Sequence, residues 1–133
     1  MKPLVSGIML LSLLGLFSCK AQNVNNLSVD AFAEALTPET RILDVRTAEE
    51  FASGHLRGAV NVDWYGNFFE DVGYIFDKDA PLYVYCRSGK RSAAAAEKLA
   101  KAGYTVYNLL GGYLAWTEAG REVVTKEAEH SAD

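Results

Sequence analysis

The chain has 133 residues, 13 Lys plus Arg against 17 Asp plus Glu, and half of its residues are hydrophobic. That balance excludes a disordered tail and describes one acidic globular domain. A net charge of -4 with no run of Lys or Arg argues against a nucleic-acid partner, and two cysteines exclude a disulfide-stapled scaffold or a four-cysteine metal site.

Lys2 precedes an uncharged segment over residues 4–17 that carries Leu10, Leu11, Leu13, Leu14 and Leu16, and small Ser18 and Cys19 follow. The segment falls short of the ~20 apolar residues of a membrane-spanning helix, and its charged start and small-residue end fit a cleaved export peptide. Leu16-Phe17-Ser18-Cys19 resembles a bacterial lipoprotein box, in which cleavage precedes Cys19 and the new terminal cysteine is lipid-modified. An ordinary signal peptide with a chance cysteine and an uncleaved anchor are the other readings. All three place the domain outside the cytoplasm. The expected plan is a signal peptide over 1–18, a lipidated Cys19 with a polar tether to residue 26, a domain over 27–124 and a frayed acidic tail over 125–133 that carries His130. Extended, the tether reaches about 23 Å, and stable anchoring to the cell envelope takes more than one acyl chain.

Ser28 reads as the cap of a short helix over 29–36, with Phe32, Ala35 and Leu36 at helical spacing and Thr37-Pro38 as its stop. Ile42-Leu43-Asp44-Val45 is too brief for a helix and predicts a buried strand. Thr47 then caps a helical turn over 48–52, with Glu50 placed for a capping box and Gly54 as its end. Residues 59–62 and 82–85 predict two further strands. Residues 92–101, with four consecutive alanines and Leu99, form the strongest helix, capped by Gly103. A strand over 105–107, a tight turn at Gly111-Gly112 and a helix over 113–119 complete the series. Strands alternating with helices predict an α/β fold whose mainly parallel sheet is covered on both faces.

In such a sheet the functional crevice lies beyond the carboxyl ends of the strands, which is where Cys86 falls, between a strand and a helix. The loop Cys86-Arg87-Ser88-Gly89-Lys90-Arg91 can wrap its amides into a concave nest while the following helix aims its positive end at the same spot. Those dipoles, with Arg87, Lys90 and Arg91, bias a thiol toward thiolate and suit the loop to an anion. The competing reading is an inert strand-end cysteine beside solvated charges. No C-x-x-C spacing supplies a resolving thiol for a dithiol oxidoreductase.

The segment over 44–62, which contains Asp44-Val45-Arg46 and Gly54-His55-Leu56-Arg57-Gly58-Ala59, resembles the upstream signature of rhodanese-like domains. Leu110-Gly111-Gly112-Tyr113-Leu114-Ala115-Trp116 resembles their downstream one, with the Cys86 loop between them in the family's order. The likeness spans about residues 27–122. It implies a rhodanese-like three-layer α/β fold and a thiosulfate sulfurtransferase activity: Cys86 takes the sulfane sulfur of a small sulfur-containing anion, becomes a persulfide and passes the sulfur to a thiol or cyanide. Arg87, Ser88, Gly89, Lys90 and Arg91 are then the anion and persulfide cradle, and no metal or organic cofactor is required. Fold-related phosphatases place the loop arginine after five intervening residues. Here Arg91 follows after four and Ser92 stands at the phosphatase position, which disfavours phosphate ester hydrolysis.

Asp44, Arg46 and His55 read first as local hydrogen-bond or ion-pair fixtures, with Asp44 and Arg46 also candidates to line the crevice mouth. Glu50 reads as a cap and Trp116 as core. The aromatic stretch of Trp64, Tyr65, Phe68, Phe69, Tyr74 and Phe76 reads as packing under a long connection or, alternatively, as a pocket wall that selects the acceptor. The competing function is a persulfide carrier or protein-interaction module without turnover.

Overall fold

The structure is a computed structural model that describes residues 24–131. The leader over 1–18 and the lipidation candidate Cys19 lie outside the described residues. Short apolar runs form five strands, β1 (Val24–Leu27), β2 (Arg41–Asp44), β3 (Ala59–Asn61), β4 (Leu82–Tyr85) and β5 (Val106–Leu109). They build one sheet in the order β1-β5-β4-β2-β3, with every pair parallel. Parallel neighbours need crossovers. These are supplied by α1 (Val29–Ala35), α2 (Ala48–Ser53), α3 (Phe68–Ile75) and α4 (Lys90–Lys101), and α5 (Gly112–Glu118) and α6 (Lys126–Ser131) follow the last strand.

Alternation along the strands divides the interior into two cores. Leu43, Val84, Cys86 and Val106 face Phe68 and Val72 of α3 and Ala95, Ala96 and Leu99 of α4. Ile42, Tyr85 and Leu109 face Phe32 of α1 and Trp116 of α5. Helices thus cover both sheet faces, and the expected three-layer α/β arrangement is the one observed. Local signals act as read: Ser28 Oγ accepts from the Ala31 amide at 3.2 Å, and Thr47 and Glu50 form a reciprocal capping box. Trp116 is core, its indole donating to the Glu122 carbonyl at 2.9 Å.

Four expectations are corrected. The tether ends early, because Val24–Leu27 pairs with β5; Asn25 and Asn26 carry no apolar signal, and the strand is held by backbone pairing on a sheet edge and by the Asn26 side chain, whose Oδ1 accepts from Asn108 Nδ2 at 3.1 Å. The aromatic connection contains α3, a helix of weak formers interrupted by Gly73 and held by burial of Phe68 and Val72 one turn apart. Trp64, Phe68 and Phe76 do pack inward, whereas Tyr65 and Tyr74 are exposed. The acidic tail is not frayed over residues 126–131: α6 is anchored where Glu129 accepts from His55 Nε2 at 2.9 Å and from the Gly58 amide at 3.2 Å. Finally, α4 begins at Lys90 rather than Ser92, so Lys90 and Arg91 ride on its first turn.

Candidate active site

β4 lies inside the sheet between β5 and β2, so the residue that follows it emerges at the carboxyl edge with loops on both flanks. That residue is Cys86. Its loop turns back at Gly89, whose φ of 101° belongs to the left-handed region that glycine enters without strain. The turn aims the Gly89 amide at Cys86 Sγ, 3.1 Å away. The Ser92 hydroxyl, on the first turn of α4, lies 3.4 Å from the same sulfur and 3.2 Å from the Gly89 carbonyl oxygen, and its one proton is shared between these two acceptors.

The loop carbonyls point the other way. Cys86 O accepts from the Tyr113 amide at 2.8 Å and Arg87 O from the Leu114 amide at 3.1 Å, so the start of α5 holds the outer rim of the loop. Gly112 permits that approach: a Cβ there would stand 2.5 Å from Cys86 O and 2.7 Å from Arg87 O. The glycine pair read as a tight turn is therefore also a point of close backbone contact.

Cys86 is buried, yet its sulfur is not surrounded by hydrocarbon alone. Burial pushes the thiol pKa up, but hydrogen bonds from the Ser92 hydroxyl and from the Ser92, Gly89 and Ser88 amides outweigh it, leaving the thiol below its ordinary value. These donors, more than the loop cations, favour the thiolate. In the sequence Ser92 marks the phosphatase position and the expected start of the helix, neither of which points to the thiol; its place in the first turn of α4 is what directs its hydroxyl back to the sulfur.

The cradle residues separate by role. Ser88 and Gly89 supply backbone amides, and Arg87 and Lys90 are exposed at the mouth. Among the described residues every other arginine is ion-paired, to Asp77, Asp44, Glu122, Glu50 or Asp30, whereas Arg87 has no carboxylate partner and neither has Lys90. Arg91 departs from the expected anion clamp. Its two terminal nitrogens bind the two Glu50 oxygens at 2.7 and 2.9 Å, which holds the Glu50 carboxyl at about 2.

Asp44 and Arg46 do not line the crevice mouth. Both are buried, with Arg46 Nε 3.0 Å and Nη2 2.7 Å from Asp44 Oδ2 and Nη2 also donating to Gly54 O. The Arg46 guanidinium lies 4.2 Å from the Tyr113 ring centroid, beneath the residue whose amide holds Cys86 O. Their support of the crevice is therefore indirect. His55 is likewise structural, stacked on Phe51 at 3.7 Å with Nδ1 2.8 Å from Phe51 O. Among the described residues no three His, Cys, Asp or Glu side chains are grouped to hold a metal. A groove of about 600 Å³ lined by Leu36, Ile42, Leu56 and Trp116 lies at the amino ends of the strands and touches no residue of the Cys86 loop.

Both the sequence and the fold that hold this loop have matches among known proteins. The sequence profile of the Rhodanese-like domain covers residues 28–119. Thiosulfate sulfurtransferase 18 of Arabidopsis thaliana is 36% identical over 87% of this chain and 95% of its own length. Thiosulfate sulfurtransferase GlpE of Shewanella oneidensis is 36% identical over 71% of this chain and 93% of its own. A rhodanese-related protein of Thermoplasma volcanium, solved by crystallography, superposes with a TM-score of 0.69 at 27% identity, covering 77% of this chain and 99% of that one. With the fold and the sequence profile in agreement, the chain belongs to the rhodanese-like domain family.

Proposed function

We propose that the protein is a sulfurtransferase that moves sulfane sulfur from thiosulfate or a similar anion to a thiophilic acceptor through a persulfide on Cys86. The observation that carries this reading is the convergence of the Gly89 amide and the Ser92 hydroxyl on Cys86 Sγ, in a segment whose exposed cations Arg87 and Lys90 have no carboxylate partner among the described residues. The relatives named thiosulfate sulfurtransferase support it at family level.

Arg87 and Lys90 draw the donor anion to the mouth. The Cys86 thiolate attacks the outer sulfur, forming a new S–S bond while the bond from that sulfur to the sulfonyl group breaks and sulfite leaves with its electron pair. The persulfide inherits the donors that faced the thiolate, which lowers the energy of its anionic form. Cyanide or a thiol then attacks the outer sulfur and Cys86 departs as thiolate. No external oxidant or reductant enters the cycle.

Turnover of thiosulfate with cyanide by the wild type and by Cys86→Ser tests the reading. Loss of turnover in the variant, with a gain of one sulfur atom on wild-type Cys86, supports it; equal rates remove the nucleophile. A persulfide that forms without turnover supports the carrier reading instead.

We also propose export and lipid anchoring at Cys19, supported by Lys2, the apolar segment over 4–17 and the Leu16-Phe17-Ser18-Cys19 box. Fatty-acid labelling that disappears in Cys19→Ser is the expected outcome, and labelling that survives the substitution refutes it.

A further inference from the structure

We infer that the groove at the amino ends of the strands is a second binding site, and that its ligand is a small amphiphile with a carboxylate head and an apolar tail. Four stretches of chain distant in sequence build it. Leu36 comes from the end of α1, Ile42 from β2, Leu56 and Arg57 from the segment ahead of β3, and Trp116 and Arg121 from α5 and the residues beyond it. At about 600 Å³ the groove lies within the roughly 300–1,000 Å³ of small-molecule sites, and like them it is lined mainly by apolar atoms with a few polar groups.

The apolar part is preformed. Ile42, Leu56 and Trp116 are 3%, 1% and 5% exposed, so close packing fixes their positions. Trp116 is held further by its indole hydrogen bond to the Glu122 carbonyl at 2.9 Å and by its edge-to-face contact with Phe32, whose ring centroid is 6.2 Å away. A ligand that settles on such a base does not have to order it first. Ala33 and Leu36 are only half-buried, and an apolar tail in the groove removes their remaining surface from water.

Charge selects the head. Among the described residues the charged side chains lining the groove are Arg57, Arg121 and Glu122, two guanidiniums against one carboxylate, in a domain that is acidic as a whole. Arg57 donates to Glu122 through Nη2 at 2.7 Å, and Arg121 donates to Asp30 through Nη2 at 2.9 Å. Asp30 itself is not part of the lining. Each pair uses one nitrogen of its guanidinium, unlike Arg91, which binds Glu50 through two. A guanidinium carries five N–H donors in a planar fork, so donors remain on both arginines for a further carboxylate while the existing pairs stay in place. One negative charge balances the excess of one positive charge in the lining.

The test uses the full chain carrying Trp64→Phe, which leaves Trp116 as its only indole. Its emission is followed during titration with octanoate, 1-octanol and octyltrimethylammonium, each below its micellar concentration. Octanoate is expected to change the emission saturably, with half-saturation below about 1 mM. 1-Octanol is expected to bind about fivefold more weakly and the ammonium compound more weakly still. Arg57→Gln with Arg121→Gln, both on exposed side chains, should remove the advantage of octanoate over 1-octanol. Ala33→Phe fills the groove and should abolish the response to both, with circular dichroism reporting whether the variant folds; if it does not fold, the arginine variant decides alone. Equal binding of all three compounds overturns the anionic head, and the absence of any saturable change overturns the site. A chain that sediments as a dimer and becomes monomeric in Leu36→Asp also overturns it, by giving the groove to a second copy. The groove touches no residue of the Cys86 loop, so each of these outcomes leaves the sulfurtransferase reading where it stands.

Discussion

Arg91 and Glu50, 41 residues apart, join the first turn of α4 to the first turn of α2 through two charge-assisted hydrogen bonds of 2.7 and 2.9 Å. Glu50 serves twice, since the same carboxylate accepts from the Thr47 amide at 3.2 Å as the reciprocal half of the α2 cap. Arg91 is thereby a strut of the loop, and the donor anion is left to Arg87, Lys90 and the backbone amides.

Because the hydrogen bonds from Arg91 hold the Glu50 carboxyl at about 2 against an ordinary 4.5, the pair stabilises the folded chain fully above pH 4.5 and loses that contribution as the pH falls through 2. Both side chains are partly exposed, so Glu50→Gln is expected to cost about 1 kcal/mol at pH 7. Urea unfolding of wild type and variant should show a constant gap from pH 8 to 5 that closes toward pH 2. A gap that persists at pH 2 would place the cost in the cap rather than in the ion pair.

Ser92→Ala removes one hydroxyl from the sulfur and leaves the amides in place. Since that hydroxyl is the largest of the contacts lowering the thiol, the Cys86 pKa is expected to rise, so alkylation by iodoacetamide slows at pH values below it. The alkylation rate against pH measures this directly. An unshifted profile would assign the polarisation to the backbone alone.

Gly112→Ala tests the packing of α5 against the loop. The added methyl meets Cys86 O and Arg87 O, both backbone atoms that cannot swing aside, and φ at this position is 61°. A loss of about 1–3 kcal/mol in stability is expected, together with loss of thiosulfate–cyanide turnover because Cys86 O is pushed from the Tyr113 amide. Gly120→Ala, also at positive φ but with open space around it, serves as the control and should retain turnover.

How far the sequence foretold this site follows from the range of the interactions involved. Cys86 was legible because a strand that ends and a helix that begins within a few residues are local patterns, and the Thr47 and Ser28 caps are legible for the same reason. The Glu50–Arg91 strut was not, because Glu50 has a sufficient local explanation as a cap and nothing in its neighbourhood announces a partner 41 residues away. Asn25 and Asn26 hid an edge strand because ladder hydrogen bonds do not depend on side-chain type. In α3, Phe68 and Val72 were visible as apolar residues, but the helical state comes from tertiary burial that outweighs the propensities of Phe, Tyr and Gly.

The contact between His55 and Glu129 predicts how the C-terminal helix responds to acid. His55 is buried with Nδ1 2.8 Å from the Phe51 carbonyl oxygen and Nε2 2.9 Å from Glu129 Oε2, so both ring nitrogens face acceptors. Burial raises the Glu129 pKa, but the His55 hydrogen bond, the Gly58 amide and the charges of His55 and Arg57 together hold it below its ordinary value. A lowered carboxyl contributes stability that is present above its unfolded pKa and lost as the pH falls through the folded one. The amides of residues 128–131 are therefore expected to lose hydrogen-exchange protection in mild acid before the amides of β4 and β5 do, with Glu129→Ala showing the same loss at pH 7. The antiparallel bridge between His55 and Val124 precedes α6 and is made by backbone alone, so its amides should stay protected in the variant. Unchanged exchange over residues 128–131 in Glu129→Ala would show that α6 is held by its packing on α2 instead.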